Sequence, residues 1–272
     1  MNIKNLNVLA IGASKNVGYH AATRLLDQGA TVTFLLRSPS VFDNDENMKR
    51  YVASGKAKIV KGDALKREDV ARAWQSANEG GAVDLLLFTL GGYPSFSLTK
   101  GLALDPPNLV TQAVLNTLTT IPTSIKPKII AVTSNGLDQA SHKALPLAMK
   151  PFYSFLLDGP HKDKLGAERL FAHCAGREWV EGEPLATILH PGWSTTEGLP
   201  EKGALADNIV VVRPAVYTNG SCQAEEGGRV RTSREIISGA YTVSRKDVAY
   251  FIVEGILKDW EHWKGSTACI AY

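Results

Sequence analysis

The sequence predicts an α/β protein built on a doubly wound parallel sheet, and three observations carry that prediction. Short apolar runs alternate with segments of helical period from residue 7 to residue 136, the spacing of repeated β-α units. One of those runs, Val83 to Leu90, is almost continuously apolar, as expected of a strand covered on both faces. The first run passes through a glycine turn directly into a helix.

Asn7 to Ile11 reads as the first strand and Val17 to Gln28 as the first helix, stopped by Gly29. Ala30 to Leu36 is the second strand, Met48 to Ser54 a short helix ended by Gly55, and Ala57 to Lys61 the third strand. A helix over Lys66 to Asn78 leads to the strand Val83 to Leu90, which ends at Gly91-Gly92. Pro106 to Thr119 is expected to be helical with proline in its first turn, and Lys128 to Thr133 to be a strand ending at Ser134. The second half is less regular. Lys162 to Cys174 has helical spacing, Ile209 to Val212 and Ala240 to Val243 read as strands, and Lys246 to Leu257 as an amphipathic helix before a closing strand, Ala268 to Tyr272. The whole chain, 1–272, is read as one domain, with 176–240 an irregular insertion beside the substrate. Residues 176–207 have no assignable pattern, and long irregular segments of this kind tend to be lids or binding loops.

Bulk properties narrow the function. The net charge is +3, from 30 basic and 27 acidic residues, with no basic run, so there is no electrostatic footprint for nucleic acid. Cys174, Cys222 and Cys269 are widely separated, and no Cys/His cluster has zinc spacing, so neither a disulfide scaffold nor a metal site is expected. No apolar run approaches the ~20 residues of a membrane helix. A cytoplasmic protein acting on a small molecule, with no nucleic-acid or membrane partner, is the expectation. The sequence carries no signal of oligomeric state.

The turn after the first strand reads Gly12-Ala-Ser-Lys15-Asn-Val-Gly18. A strand, a tight turn and a helix opening at the turn form a dinucleotide site: backbone amides approach a pyrophosphate, and the helix N-terminus adds partial positive charge. Lys15 stands where the G-x-x-G-x-x-G pattern has its central glycine. It can still offer an amide, and its ammonium could reach a phosphate, but it requires negative φ or strain. The second strand ends on Arg37, where an acidic residue would receive the ribose 2′-hydroxyl of NAD. A cation there suits the 2′-phosphate of NADP(H) instead.

In an open parallel sheet, ligands bind beyond the carboxyl ends of the strands. Asp63, past the third strand, can accept the exocyclic amine of an adenine or act as a turn residue and cap before Ala64. Gly91 and Gly92 can let backbone approach the ribose and nicotinamide, or serve as a plain turn. Ser134 could face the nicotinamide and a carbonyl substrate, or cap a helix. Lys164 could serve the same region, or sit in a solvated ion-pair face with Asp163 and Glu168. Tyr153 is a candidate acid, with aromatic packing against Phe152 and Phe155 the stronger alternative. His161 and His190 could move protons near neutrality or be structural. A Tyr-x-x-x-Lys pair is absent from this region.

These pieces, with Val-Arg213-Pro214-Ala215 and Ser244-Arg-Lys-Asp247-Val-Ala249, resemble the atypical short-chain dehydrogenase/reductase group. The resemblance is closest to the NAD(P)H-binding family of flavin reductase/biliverdin-IXβ reductase and NmrA-like proteins, and it covers nearly the whole chain. It implies a Rossmann-type fold with a small C-terminal substrate-side region. It also implies NADP(H) held by the turn residues Gly12, Ser14, Lys15, Asn16, Val17 and Gly18. Arg37, Asp63 and Ala64 would hold the adenosine end. Leu90, Gly91, Gly92, Thr133, Ser134, Lys164, Pro214 and Ala215 would lie along the rest of the cofactor, with Ser134 and Lys164 at the reactive end. Ser244 is expected to cap the late helix, with Asp247 completing a capping box.

Three functions fit this pattern. The leading one is an NADPH-dependent reductase of a small planar or carbonyl-bearing substrate, with Ser134 as donor to the developing oxyanion. Lys164 would hold the ribose hydroxyls or stabilise that oxyanion, and Trp193, Tyr153 and Tyr217 could line the pocket. The second is a cofactor sensor of the NmrA-like kind, binding NADP(H) without turnover. The third is a redox-neutral isomerase or cyclase on the same fold.

Overall fold

The structure is a computed structural model that describes residues 3–92, 95–97, 101–147, 150 and 155–272. Its first half follows the order β1 (Asn7–Ile11), α1 (Asn16–Asp27), β2 (Thr31–Leu36), α2 (Glu46–Ala53), β3 (Ala57–Lys61), α3 (Arg67–Asn78) and β4 (Leu85–Phe88). A small hairpin, β5 (Ser95–Ser97) and β6 (Gly101–Ala103), precedes α4 (Leu109–Leu118), β7 (Lys128–Val132), α5 (Gln139–Lys143) and α6 (Asp158–Cys174). Then come β8 (Ile209–Pro214), β9 (Val216–Thr218), β10 (Arg231–Ser233), β11 (Thr242–Ser244), α7 (Arg245–Tyr250), α8 (Trp260–Trp263) and β12 (Thr267–Ala271).

Eight strands form one sheet in the order β3-β2-β1-β4-β7-β8-β12-β10. All pairings are parallel except β10 with β12. Strand order reverses between β1 and β4, where Val8 lies opposite Leu85 and Ile11 opposite Phe88. Period-two alternation divides each central strand between two cores. Val8, Ala10, Leu85, Leu87, Val210 and Val212 face one side, under α1 and α7. Leu9, Ile11, Leu86, Phe88, Ile209 and Val211 face the other, under α3, α4 and α6. Both faces are therefore covered, as the apolar strands require.

Several boundaries differ from the sequence reading for identifiable reasons. α4 begins at Leu109, three residues after Pro106, because its N-terminal amides are capped from another helix: the Asp163 carboxylate accepts from Val110 N and Thr111 N at 2.8 Å each. The last long helix is α-helical only through Tyr250 and continues as π-helical turns over Phe251–Leu257. There Gly255 leaves room for the Phe251 ring, which a Cβ would meet at 2.6 Å. Ser244 does cap α7, accepting from Asp247 N at 2.9 Å. The reciprocal half of a capping box is missing, because Ser244 N donates to the Tyr272 hydroxyl. Asp247 instead gathers Tyr272 Oη at 2.6 Å and the amides of Gln223 and Ala224.

Residues 176–240 are not irregular throughout, since β8 lies inside the sheet. The stretch 177–205 is a strap whose ends meet beside α6: Gly203 N donates to His173 O, and Leu205 N to Cys174 O. Leu189, Trp193 and Leu205 are buried in the core under α3, α4 and α6. Arg67 ties the strap to α4, donating to both Thr119 O and Glu197 O. Among the described residues no helix is long and apolar enough to cross a membrane, and the three cysteines are buried and free.

Candidate functional site

The carboxyl ends of the parallel strands form one row: Gly62-Asp63 after β3, Arg37 after β2, Gly12 after β1, Thr89 to Gly92 after β4, Thr133-Ser134 after β7 and Pro214-Ala215 at β8. The centre of the row is the reversal between β1 and β4, where a parallel sheet opens a crevice. Gly12 sits there at φ +82°, and a Cβ on it would lie 2.3 Å from Leu90 N. Gly18 is packed as closely, its virtual Cβ 2.2 Å from Thr89 Oγ1 and 2.7 Å from Ala13 Cα. Both glycines are needed because two backbone segments touch at this point.

Lys15 causes no strain. Its backbone is extended, at φ −164°, and the left-handed residue is Asn16 at φ +56°. Asparagine tolerates that region better than other side chains, so one position along from the expected irregularity the chain carries a suitable residue. Lys15 and Asn16 are exposed, Ser14 is half-buried and Val17 is buried. The first turn of α1 contains no acidic residue, and no side chain caps it. A twelve-residue helix thus presents its amides and partial positive charge at the crevice without an internal anion. This arrangement fits the diphosphate of a dinucleotide.

At the adenosine end Arg37 is exposed. Asp63 acts as a turn cap, its Oδ1 accepting from Leu65 N at 3.0 Å while its own amide donates to Asp69. Ala64 is buried and its carbonyl accepts from Asn116. Beyond β4, Gly91 has open space where a side chain would be, whereas a Cβ on Gly92 would run into Leu104.

The β7 end is built differently. Lys164 on α6 donates from Nζ to Thr133 O at 2.9 Å, which places its ammonium beside Ser134. Burial pushes the Lys164 ammonium down to about 8, against the opposing pull of Asp163 and Glu168. Those two acids are not a solvated face. Asp163 is fully buried on the α4 amides, and burial raises its pKa despite those hydrogen bonds. Glu168 is 5% exposed and pairs with Arg213 through Arg213 Nε at 3.0 Å and a second contact from Nη2. Arg213 also reaches Asp138, the residue that caps α5 through Ser141 N. Burial disfavours the Arg213 charge, but Glu168 and Asp138 outweigh it and raise its pKa. Burial works against the Asp138 carboxylate, but the same guanidinium and the hydrogen bonds from Ser141 together hold it below the usual carboxylate range. His161, one turn before Lys164, is pushed down to about 3 by burial and by the nearby charges of Lys164 and His142.

Not every expected residue offers a free group. Thr133 spends its hydroxyl on Glu168 at 2.6 Å, its carbonyl on Lys164 and its amide on Val212 O. Ala215 N donates to Ile270 O, and Pro214 O accepts from Asn135 N, so this pair presents surface rather than spare hydrogen bonds. Trp193 does not line the crevice. It packs edge-on against His173, nine residues beyond Lys164 and so about 13 Å along the α6 axis. Tyr217 is half-buried under the Arg245 guanidinium, 4.9 Å from its ring centre, and burial raises its pKa. His190 is exposed, with Nδ1 2.9 Å from its neighbour's carbonyl. Tyr153 lies outside the described residues. The residues that the sequence reading missed are Asp138 and Asn135. Asn135 is buried with Oδ1 unpartnered, next to Ser134. Its place after a strand-end serine was the available signal.

Two surface grooves of about 530 and 550 Å³ lie between α3 and residues 119–125. None of the strand-end residues lines them. Among the described residues no group of three or more His, Cys, Asp or Glu side chains could hold a metal ion.

Comparison with known proteins agrees with this geometry. A protein-family pattern described as NAD(P)H-binding matches residues 12–209. Reductase pytE of Aspergillus terreus is 28% identical over 227 residues, covering 79% of this chain and 77% of the relative. A short-chain dehydrogenase/reductase variant from Serratia marcescens superposes with a TM-score of 0.60 at 16% identity, covering 99% of this chain and 97% of that one. A short-chain dehydrogenase from Burkholderia cenocepacia in complex with NADP gives 0.54 at 17% identity, over 93% and 92% of the two chains. At such identities these structures speak for the fold.

Proposed function

The chain belongs to the NAD(P)H-binding family, and from that premise we infer that it is an atypical short-chain dehydrogenase/reductase, an NADPH-dependent reductase of a small planar or carbonyl-bearing substrate. The observation that carries this reading is Lys164, a half-buried residue whose ammonium is anchored at the carboxyl end of β7 beside Ser134, on the same sheet edge as the uncapped N-terminus of α1.

When bound, the reduced nicotinamide supplies the hydride. The protein's own residues do the rest. The amides opening α1, with the side chains of Ser14, Lys15 and Asn16 at the turn, receive the diphosphate. Arg37 meets the 2′-phosphate with a guanidinium that has no ion-pair partner among the described residues. The second oxygen of Asp63 would accept from the adenine amine while the first holds its own turn. Gly91 leaves space for the nicotinamide ribose. Ser134 donates to the substrate oxygen as negative charge develops there, and the Lys164 ammonium gives that oxygen its proton. A carbonyl thus gains hydride at carbon and a proton at oxygen. With its pKa near 8, Lys164 is mostly charged at neutral pH and can still release the proton.

The test is NADPH oxidation against a panel of flavins, quinones and carbonyl compounds, with binding followed by tryptophan fluorescence. Turnover of at least one panel member is expected, falling about a hundredfold in Lys164→Ala. Arg37→Glu is expected to weaken NADPH binding at least about tenfold and leave NADH nearly unchanged. Tight NADPH binding with no turnover across the panel would overturn the reductase reading. It would favour the sensor, which one observation already supports: Pro160 stands four residues before Lys164, where a Tyr-x-x-x-Lys pair would place its phenol.

A further inference from the structure

The loop that carries Ser134 and Asn135 is held at both ends by charged side chains. At its start, the Thr133 carbonyl accepts from Lys164, and the Thr133 hydroxyl donates to Glu168 Oε1 at 2.6 Å. At its end, Asp138 pairs with Arg213 while capping α5. Arg213 joins the two ends, because its other nitrogens hold Glu168 through Nε at 3.0 Å and through Nη2. Glu168 lies one helical turn beyond Lys164 on α6, so the acid that grips Thr133 also faces the lysine that grips Thr133.

We propose that Glu168 and Arg213 are positioning residues for the crevice: together they fix the Thr133–Asp138 loop that anchors the Lys164 ammonium, and Glu168 sets a negative charge one helical turn from it. The inference rests on the placement of Lys164 in the proposed site. Its chemistry is that of a buried pair with all members engaged. Arg213 is 9% exposed and Glu168 5%, and each carboxylate of the cluster has the guanidinium as partner. A cluster of this kind contributes little net stability against an apolar replacement, but it specifies one arrangement. Here that arrangement includes the only backbone carbonyl that Lys164 contacts among the described hydrogen bonds.

The other groups facing Lys164 are accounted for. On α6 these are Asp163, whose negative charge is spread over the α4 amides, and His161, which is neutral at physiological pH. From α5, His142 faces His161. From β8, the Arg213 charge is matched by Glu168 and Asp138. Arg177, half-buried with its Nε buried and unpartnered, sees Glu168 and Arg213. Of these groups, Asp163 and Glu168 favour the Lys164 ammonium, and Asp163 is already committed to capping.

The proposal is tested on the full chain with Glu168→Gln, which keeps an oxygen for the Thr133 hydroxyl and removes the charge, and Asp138→Asn, which keeps an oxygen for the α5 cap. Lys164 is titrated by side-chain nitrogen NMR, assigned with Lys164→Arg, and NADPH affinity is measured alongside. In Glu168→Gln the Lys164 midpoint is expected to fall by about one unit from about 8, and in Asp138→Asn to stay within a few tenths. NADPH affinity is expected to drop about tenfold in both as the loop loosens. An unmoved midpoint in folded Glu168→Gln, or equal movement in both variants, would overturn the proposal. Should Glu168→Gln fail to fold, Thr133→Val severs the same link and keeps every charge. NADPH affinity weakened about tenfold at an unchanged midpoint then supports the proposal, and wild-type affinity overturns it. The NMR midpoint needs no turnover, so a protein inactive on every substrate would sink the reductase reading and leave this test intact.

Discussion

The glycine turn after β1 and the charged cluster behind β7 lie on the same edge of one sheet, yet they are made of different materials. The turn is backbone: Gly12 and Gly18 have no side chains, the segments 12–18 and 89–90 touch directly, and the helix amides stand uncapped. The cluster is side chain: Lys164, Glu168, Arg213 and Asp138 come from a helix, a strand and a loop that are up to 75 residues apart in sequence. A backbone site tolerates almost any neighbouring side chain but no added Cβ. A side-chain site tolerates backbone adjustment but not the loss of one charge, because the remaining partners are already out of water.

That contrast can be broken from either side. The largest expected effect is Arg213→Met, which strands Glu168 and Asp138 without their cation. Urea denaturation at neutral pH should show a loss of about 3–5 kcal/mol, and a loss below about 1 kcal/mol would mean the cluster is wetter than its burial indicates. Next is Gly12→Ala, where a methyl group enters a left-handed position 2.3 Å from a backbone nitrogen. It should cost about 2–3 kcal/mol and abolish measurable NADPH binding, whereas Arg213→Met that folds should retain weak binding. Wild-type NADPH affinity in Gly12→Ala would remove the turn from the cofactor site.

The smallest effect sharpens the side-chain half. His161 titrates at about 3 in the folded protein and at its ordinary 6.5 when unfolded. Between those values the unfolded chain binds a proton that the folded protein does not, so stability is full above about pH 6.5 and declines as pH falls toward 3. His161→Leu should flatten that acid limb, compared by urea midpoints at neutral and mildly acidic pH. An unchanged limb would place His161 in contact with water.

Much of the fold was legible because β-α alternation is a local pattern. β1 and β3 occupy the predicted residues, and the other sheet strands of the first half agree within three residues; the central ones, buried on both faces, have to be apolar along their length. The positions of Gly12, Gly18 and Arg37 on the carboxyl edge were legible for a related reason: turn, helix start and strand end are adjacent in the chain. Asp163 and Glu168 were not. Beside Lys164 in sequence they look like a solvated ion-pair helix face, and only the packing of α6 against α4 and β8 turns one into a cap and the other into the partner of Arg213. The strap over 177–205 was equally opaque, since Leu189 and Trp193 have no period and acquire a role only where they cover α6.

By itself, then, the sequence determined the doubly wound sheet, the row of strand ends and the close-packed glycine turn at their centre, because each depends on residues within a few positions of one another. The tertiary structure alone decided which charged side chains meet behind β7, what the long strap covers, and that Lys164 lies half out of water with its proton loosely held. Those outcomes depend on desolvation and on partners distant in sequence, and neither exists until the helices close over the sheet.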